Sequence, residues 1–247
     1  MEMLFYGDLI QMAAAVIPAL FLLYKVYQAD RVEKEPAGLL LSLVLYGILA
    51  TGLAMVAELF GGAVVGALFT ENSLLYHLLF YFLVVALAEE GAKYILLKRR
   101  TWYSPAFNYQ FDGVVYAVFV SLGFALWENL SYVAMYGLQV ALLRAVTAIP
   151  GHACFGVFMG VWYGLAKKFD RRGNQEKARR YCRMAFLVPA FLHGSYDFIA
   201  SLENGAWSVL FVVFIIALFL AALRLVKRQS AHDQYLDGIS GYSRWYR

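Results

Sequence analysis

Long apolar runs separated by short polar connections set the pattern of this chain. A bilayer core of about 30 Å needs about 20 mostly apolar residues per helix, because a helix satisfies its own backbone hydrogen bonds where no water is at hand. Seven stretches meet that requirement, approximately Asp8 to Tyr27, Ala37 to Glu58, Leu74 to Leu97, Asp112 to Tyr136, Ala141 to Ala166, Tyr181 to Leu202 and Ala206 to Leu225. The run Gly61–Phe69 is too short to span and reads as a re-entrant piece, an interfacial piece or an extension of the second helix. The pattern therefore predicts an all-α, polytopic integral membrane protein with about seven transmembrane helices. One helical domain is expected over residues 1–228, with the chemistry in about 74–202, and a polar cytoplasmic tail over 229–247 that carries Tyr235, Tyr242, Trp245 and Tyr246.

Composition narrows the class further. Of the 247 residues, 62% are hydrophobic and 15% charged, against about 45–50% and 25% for a soluble domain. A 27.8 kDa body with so little charge needs lipid over most of its surface, which excludes a soluble globular protein, a disordered chain and a collagen-like repeat. Cys154 lies in an apolar run and Cys182 between Arg180 and Arg183; they read as free thiols, not as a disulfide framework.

The net charge, 21 − 17 = +4, gives no reason to expect a nucleic-acid partner; the placement of the cations matters more. Arg31 and Lys34 lie in the first connection, Lys98, Arg99 and Arg100 in the third, and Lys167, Lys168, Arg171, Arg172, Lys177, Arg179 and Arg180 in the fifth. The second, fourth and sixth connections contain no Lys or Arg. The positive-inside rule then puts the N-terminus outside and the C-terminus in the cytoplasm. Glu2 and Asp8 stand where a cleaved signal peptide would carry basic residues, so the first helix is expected to remain.

An ionisable side chain near mid-bilayer costs about 2.5–3.5 kcal/mol on insertion scales, and this sequence places several there. The third span contains Glu89, Glu90 and Lys93, the fourth Glu128 and Asn129, the fifth His152, and the sixth His193 and Asp197. Glu89 and Lys93 are spaced for an i,i+4 pair, which leaves Glu90, about 100° around the helix, without a partner from its own segment. Adjacent carboxylates in a poor dielectric repel, so one of them can hold a proton, as general acid–base chemistry requires. Either catalysis or a buried ion pair between helices accounts for them. Pro150 predicts a kink beside His152. His193 and Asp197 share a helix face, where the carboxylate would orient the imidazole or both would bind a metal. Glu58, His77 and Arg144 lie nearer the span ends, within reach of the interface, and suggest no role. Gly156, Gly160 and Gly164 form a ridge for close helix packing. No His-Glu-x-x-His, Gly-x-Ser-x-Gly or glycine-rich phosphate loop occurs.

In order, Glu89-Glu90-Gly91-Ala92-Lys93, Phe124-x-x-x-Glu128-Asn129, His152-Ala153-x-x-Gly156-x-x-x-Gly160 and His193-x-x-x-Asp197 resemble the four motifs of the PrsW family of intramembrane proteases, itself similar to the wider CAAX-protease superfamily. The resemblance covers about Leu74–Ala200. It implies hydrolysis of a peptide bond in a single-pass membrane regulatory protein, such as an anti-sigma factor, by a site-1-type cut at or near the extracytoplasmic side of the cell membrane. The expected catalytic residues are Glu89, Glu90, Glu128, His152, His193 and Asp197, with Lys93 and Asn129 supporting. The first expectation is chemistry without a metal or other cofactor: a Glu activates water, Lys93 or the second Glu tunes it, and His152, His193 and Asn129 stabilise the oxyanion. The rival is a zinc site drawn from His152, His193, Asp197 and Glu128. Buried acids, imidazoles and a lysine also suit a proton-coupled transporter, although no internal repeat of the usual kind is visible. The lipid bilayer is the remaining expected partner, and the sequence sets no oligomeric state.

Overall fold

The computed structural model describes residues 2–71, 73–202 and 204–236, with side chains from Ile10 onward. Nine α-helices follow one another among these residues: α1 (Glu2–Ala29), α2 (Ala37–Leu68), α3 (Leu74–Leu79), α4 (Ala86–Thr101), α5 (Asp112–Tyr136), α6 (Leu138–Val146), α7 (Ala148–Arg171), α8 (Gln175–Ala200) and α9 (Gly205–Ala231). A π-helical segment, Phe80–Val85, joins α3 to α4. The described residues contain no β-strand, and their one isolated bridge pairs Tyr109 with Tyr235. The protein is an all-α polytopic membrane protein.

Six stretches are long and apolar enough to cross a membrane: Ile10–Ala29, Ala37–Leu68, Leu74–Thr101, Asp112–Tyr136, Leu138–Arg171 and Gly205–Ala231. The expected sixth span is also a long helix, α8, at 26 residues. Its charged first turns, together with His193 and Asp197, keep it off that set. Gly61–Phe69 proves to be mainly an extension of α2, which reaches Leu68. Along that extension Leu59 is 72% exposed and Phe60 70%, a surface that water would penalise and lipid covers.

α5 forms the axis of the bundle. Every residue from Asp112 to Ala125 is buried, and α1, α2 and α7 all pack on this helix. Small residues let the backbones meet. A Cβ on Gly47 of α2 would lie 2.1 Å from the Val120 carbonyl oxygen, and one on Gly123 would lie 2.3 Å from that of Val44. On α7, a Cβ on Gly160 would stand 2.4 Å from Val114 Cα, and one on Gly164 2.2 Å from the Gln110 carbonyl oxygen. The glycine ridge therefore serves packing, as expected. α8 lies against α7 and α4, and α9 covers α7 and α8.

Two interruptions shape the polar region. Gly137 adopts φ +80° between α5 and α6, a conformation that favours glycine. Thr147, with φ −118° and ψ −72°, separates α6 from α7. Pro150 has no N–H to offer the Val146 carbonyl one turn earlier, and the helix breaks there, just ahead of His152.

At the other end of the bundle, the loop before α5 is tied down by carboxylates. Asp112 Oδ2 accepts from the amides of Asn108 (2.9 Å) and Tyr109 (2.7 Å), and Asp233 Oδ1 accepts from Phe111 (2.8 Å). Gln110 N–H donates to the Gln234 carbonyl at 2.9 Å, and Leu236 N–H to that of Asn108 at 2.7 Å. The expected tail thus begins as the last turn of α9 and continues as a segment docked through Leu236. Its residues Tyr242, Trp245 and Tyr246 lie outside the described residues.

Glu35, in the loop between α1 and α2, accepts from the Tyr116 hydroxyl at 2.6 Å. Burial pushes its carboxyl from the usual 4.5 up to about 7; Asp30 and Glu33 push the same way, while the Tyr116 and Asp112 hydrogen bonds oppose. The folded state then holds a proton that the unfolded chain has released, so Glu35 makes stability fall as pH rises from about 4.5 to about 7. Thermal unfolding in detergent across that range should show this slope, and Glu35→Gln should reduce it, leaving the part that the loop residue Asp30 contributes, since burial pushes its carboxyl up to about 6. In the same assay Gly160→Leu should cost at least about 1–3 kcal/mol, because the new side chain meets backbone that cannot yield.

Candidate active site

Four helices deliver ionisable side chains to one place. On α4, i+3 and i+4 spacing puts Glu89, Glu90 and Lys93 on neighbouring stripes, and the fully buried Lys93 reaches both acids. Its Nζ donates to Glu89 Oε2 at 3.0 Å and to Glu90 Oε1 at 2.8 Å. Glu90 therefore does find a partner within its own segment, because the long lysine stem spans both spacings. The same ammonium lies 3.2 Å from His152 Nδ1 and 3.8 Å over the Phe124 ring.

The imidazoles bridge this centre to outer carboxylates. His193 Nδ1 lies 2.9 Å from Glu90 Oε1 and 3.8 Å from Glu89 Oε2, while its Nε2 lies 3.3 Å from Asp197 Oδ2. His152 Nε2 lies 2.8 Å from Glu128 Oε2. Phe155 stacks on His193 at 4.7 Å between ring centroids, and the two imidazoles stand nearly perpendicular, 5.3 Å apart. Ser121 donates to the His152 carbonyl at 2.7 Å, fixing α7 to α5 beside the site.

A cavity of about 500 Å³ opens against this cluster. Glu89, Glu128, His152, His193 and Asp197 all line it, with Phe124 and Trp127 forming an apolar wall. Glu90 and Lys93 are not on the wall; they sit behind Glu89, sealed from the cavity. Asn129 is also outside the lining. Its amide donates to the Ala15 carbonyl at 3.0 Å, and its oxygen accepts from Arg144 Nε at 3.0 Å, so its polar groups are committed to α1 and Arg144, not to an oxyanion.

Two residues set aside on sequence grounds belong to the site. Arg144 Nη2 lies 2.8 Å from Glu128 Oε2, and the guanidinium stacks 4.0 Å over the Tyr132 ring. Glu58, half-buried on α2, lines the same cavity. Both were assigned to span ends. α2 in fact continues for ten residues past Glu58, and the break at Thr147 leaves Arg144 on α6 beside the cavity. His77 remains on the peripheral α3, between Tyr76 and Tyr81.

The donor set differs from the zinc set expected from sequence. One ligand atom each from Glu89, Glu90, His152 and His193 lies within 4.8 Å of the others. Glu128 and Asp197 instead face the Nε2 atoms, on the outer side of each ring. Donors about 2.0–2.2 Å from one zinc ion stand about 3.3 Å apart, so this set needs only a modest contraction. Glu90 Oε2 is buried without a hydrogen-bond partner, an orphan that a cation would satisfy. Two imidazoles and two carboxylates are donor types that suit a divalent ion of the zinc type, but Lys93 Nζ already lies 3.0 Å from Glu89, 2.8 Å from Glu90 and 3.2 Å from His152, so an ion enters this set only by displacing the ammonium.

A membrane-spanning helical bundle with such a site, read together with its relatives, is an intramembrane protease. The model of the PrsW family intramembrane metalloprotease matches residues 35–223, and the chain belongs to the PrsW family. It is 34% identical over 222 residues to Protease PrsW of Geobacillus kaustophilus, covering 89% of this chain and 92% of that protein. Protease PrsW of Clostridioides difficile is 32% identical over 89% of this chain and 91% of its own, and that of Bacillus subtilis 31% over 87% and 94%. No solved structure matches.

Removing one member of a buried ion cluster leaves the others uncompensated, which costs about 3–5 kcal/mol. Lys93→Met should lower thermal stability in detergent by about that amount. Adding Glu89→Gln and Glu90→Gln should recover much of the loss, since the charges that needed the ammonium are then gone.

Proposed function

We propose that this chain is an endopeptidase that cuts a single-pass membrane regulatory protein of the anti-sigma-factor kind, with Glu89 as the general base. The observation carrying the assignment is that Glu89 lines the cavity while Glu90 stands behind it, held by Lys93 and His193. Glu89 Oε2 is tied to Lys93, which fixes the carboxylate at the cavity wall. Water in the cavity gives a proton to Glu89 as its oxygen attacks the substrate carbonyl carbon. The C–O bond forms, and the carbonyl π pair moves onto oxygen. Arg144, on the wall, supplies N–H donors and positive charge to that oxyanion. Return of the proton from Glu89 to the amide nitrogen breaks the C–N bond and releases a carboxyl terminus and an amine. Glu90 positions Lys93 and His193, Asp197 orients His193, and Glu128 orients His152.

A second reading rests on the four donors within 4.8 Å. Glu89, Glu90, His152 and His193 would hold a divalent ion, which would supply Lewis acidity and acidify a bound water. The family's character as intramembrane metalloproteases accords with it.

The distribution of Lys and Arg supports an N-terminus outside, a cytoplasmic C-terminus and a cavity facing the extracytoplasmic side, since Glu128, Arg144 and Asp197 lie towards the ends of α5, α6 and α8 away from the basic loops. Membership of a protease family removes the ground for a transporter.

Purified protein incubated with a single-pass substrate tests the proposal. Glu89→Gln should lower kcat by at least about a hundredfold, the contribution of a general base, with KM little changed, and Asp197→Asn should cost less. Unchanged cleavage by Glu89→Gln defeats the assignment. Metal analysis of the same preparation separates the two readings: stoichiometric zinc that leaves with activity on chelation selects the second.

A further inference from the structure

A second cavity, of about 230 Å³, lies at the opposite end of the bundle. Lys98 and Trp102 from the end of α4, Tyr103 just after it, Asp170 from α7, and Arg179 and Cys182 from the first turns of α8 line it. Trp102 is 13 residues beyond Glu89, about 20 Å along a helix, so this space is separate from the catalytic cavity. It lies between the third and fifth connections, whose basic residues Lys98 and Arg179 reach its wall.

Its charges are out of balance. Among the described residues, neither Lys98 nor Arg179 makes an ion pair. Lys98 Nζ instead lies over the rings of Trp102 at 5.3 Å and Tyr94 at 5.9 Å. Asp170 is the lone acid on the wall, and its Oδ1 already accepts from Gln175 at 3.0 Å. Two cations facing one cavity repel unless an anion lies between them. The volume corresponds to roughly seven or eight waters at about 30 Å³ each, room for a phosphate with its glycerol and too little for a polypeptide.

We propose that this cavity binds the phosphate of an anionic phospholipid headgroup, held between Lys98 and Arg179. Phosphate prefers such paired cations, and arginine offers it a bidentate fork. The position favours a membrane lipid over free phosphate. Ile95, two turns before Trp102, is 62% exposed on a spanning helix, and Tyr103 at the rim is 77% exposed, so the headgroup has its acyl chains beside lipid-facing surface and an aromatic at the interface. A run of basic residues alone would attract anionic lipid diffusely; an open cavity with half-buried Lys98 on one wall and exposed Arg179 on another, neither in an ion pair, specifies a place.

Cys182 on the wall is half-buried, whereas Cys154 is buried within α7, so alkylation of the folded protein reports Cys182. The full chain is placed in nanodiscs of phosphatidylcholine alone, or with one third phosphatidylglycerol, and the rate of maleimide modification is followed. Phosphatidylglycerol should slow modification of Cys182, and native mass spectrometry should show retained anionic lipid. Lys98→Gln with Arg179→Gln should weaken that protection by about 25-fold in lipid affinity, about fivefold for each basic residue. Arg171→Gln with Arg172→Gln removes the same charge from residues that do not line the cavity and should leave protection in place. Equal rates in the two lipids, a comparison needing no variant, overturn the proposal. So does equal loss in both pairs of variants, which would mean diffuse attraction. Protection by millimolar inorganic phosphate in phosphatidylcholine alone overturns the lipid assignment in favour of a soluble anion.

Discussion

The Lys93 ammonium, held between two carboxylates and an imidazole, is the interaction on which the rest of the molecule turns. Burying one unpaired ion costs several kcal/mol even after relaxation, and here the lysine and Glu90 are wholly buried and Glu89 nearly so. These groups become tolerable only when α4, α7 and α8 meet, because His152 and His193 supply the contacts that α4 lacks. The bundle and the site therefore stabilise each other. From that centre polar contacts run outward without a break: Asp197 to His193, Glu90, Lys93, His152, Glu128, Arg144 and Asn129, ending at the Ala15 carbonyl on α1. One network thus crosses the protein from α8 to α1, through side chains that bulk hydrophobicity would never have retained.

Much of this was legible from sequence, because hydropathy reports spans and an ionisable residue within a span stands out. Glu89, Glu90, Lys93, Glu128, His152, His193 and Asp197 announced themselves in that way, and the cluster brings all seven together. What failed was inference from distance to a span end. Glu58 looked terminal because the apolar run was cut at that residue; α2 continues to Leu68, leaving Glu58 beside the cavity. Arg144 looked interfacial because it falls near the start of a span drawn from Ala141 with only a kink at Pro150; the break at Thr147 instead leaves it on the separate helix α6 beside the cavity. Periodicity paired His193 with Asp197 correctly, but it cannot say which ring nitrogen faces which partner. Tertiary packing turns both Nδ1 atoms inward, and the acids expected to bind a metal fall on the outer side.

The π-helical segment had no signature at all. Phe80-Tyr81-Phe82-Leu83-Val84-Val85 is as apolar and regular as its neighbours, and nothing local marks the wider turn. Its contacts are long-range: Phe82 seats against Gly194 of α8, where a Cβ would come within 2.7 Å of the ring, and Val84 seats against Gly61 of α2 at the same distance. The wider turn rotates the residues that follow relative to an unbroken α-helix, so this segment sets the face on which Glu89 emerges. Without it, the carboxylates that follow would point elsewhere. π-segments of this kind often accompany functional sites, and here the reason is geometrical.

A gradient along α5 explains why one end of the bundle is tight and the other holds a cavity. From Asp112 to Ala125 small and β-branched residues predominate, and the glycines of α2 and α7 meet this stretch backbone to backbone. Beyond Ala125 come Trp127, Tyr132 and Met135, whose bulk is incompatible with such contact. α2 and α5 touch at Gly47 and Gly123 and have the cavity between them from Thr51 and Trp127 onward. The close-packed half cannot adjust without backbone collisions, so it holds the buried acids and imidazoles beside it at fixed separations. In the bulky half the walls are single side chains on helices with one face to lipid, and side chains rotate where backbones cannot. An intramembrane protease needs both properties at once: rigid acids and imidazoles, and a wall that a polypeptide can displace. The change of residue size at Ala125 supplies the boundary between them.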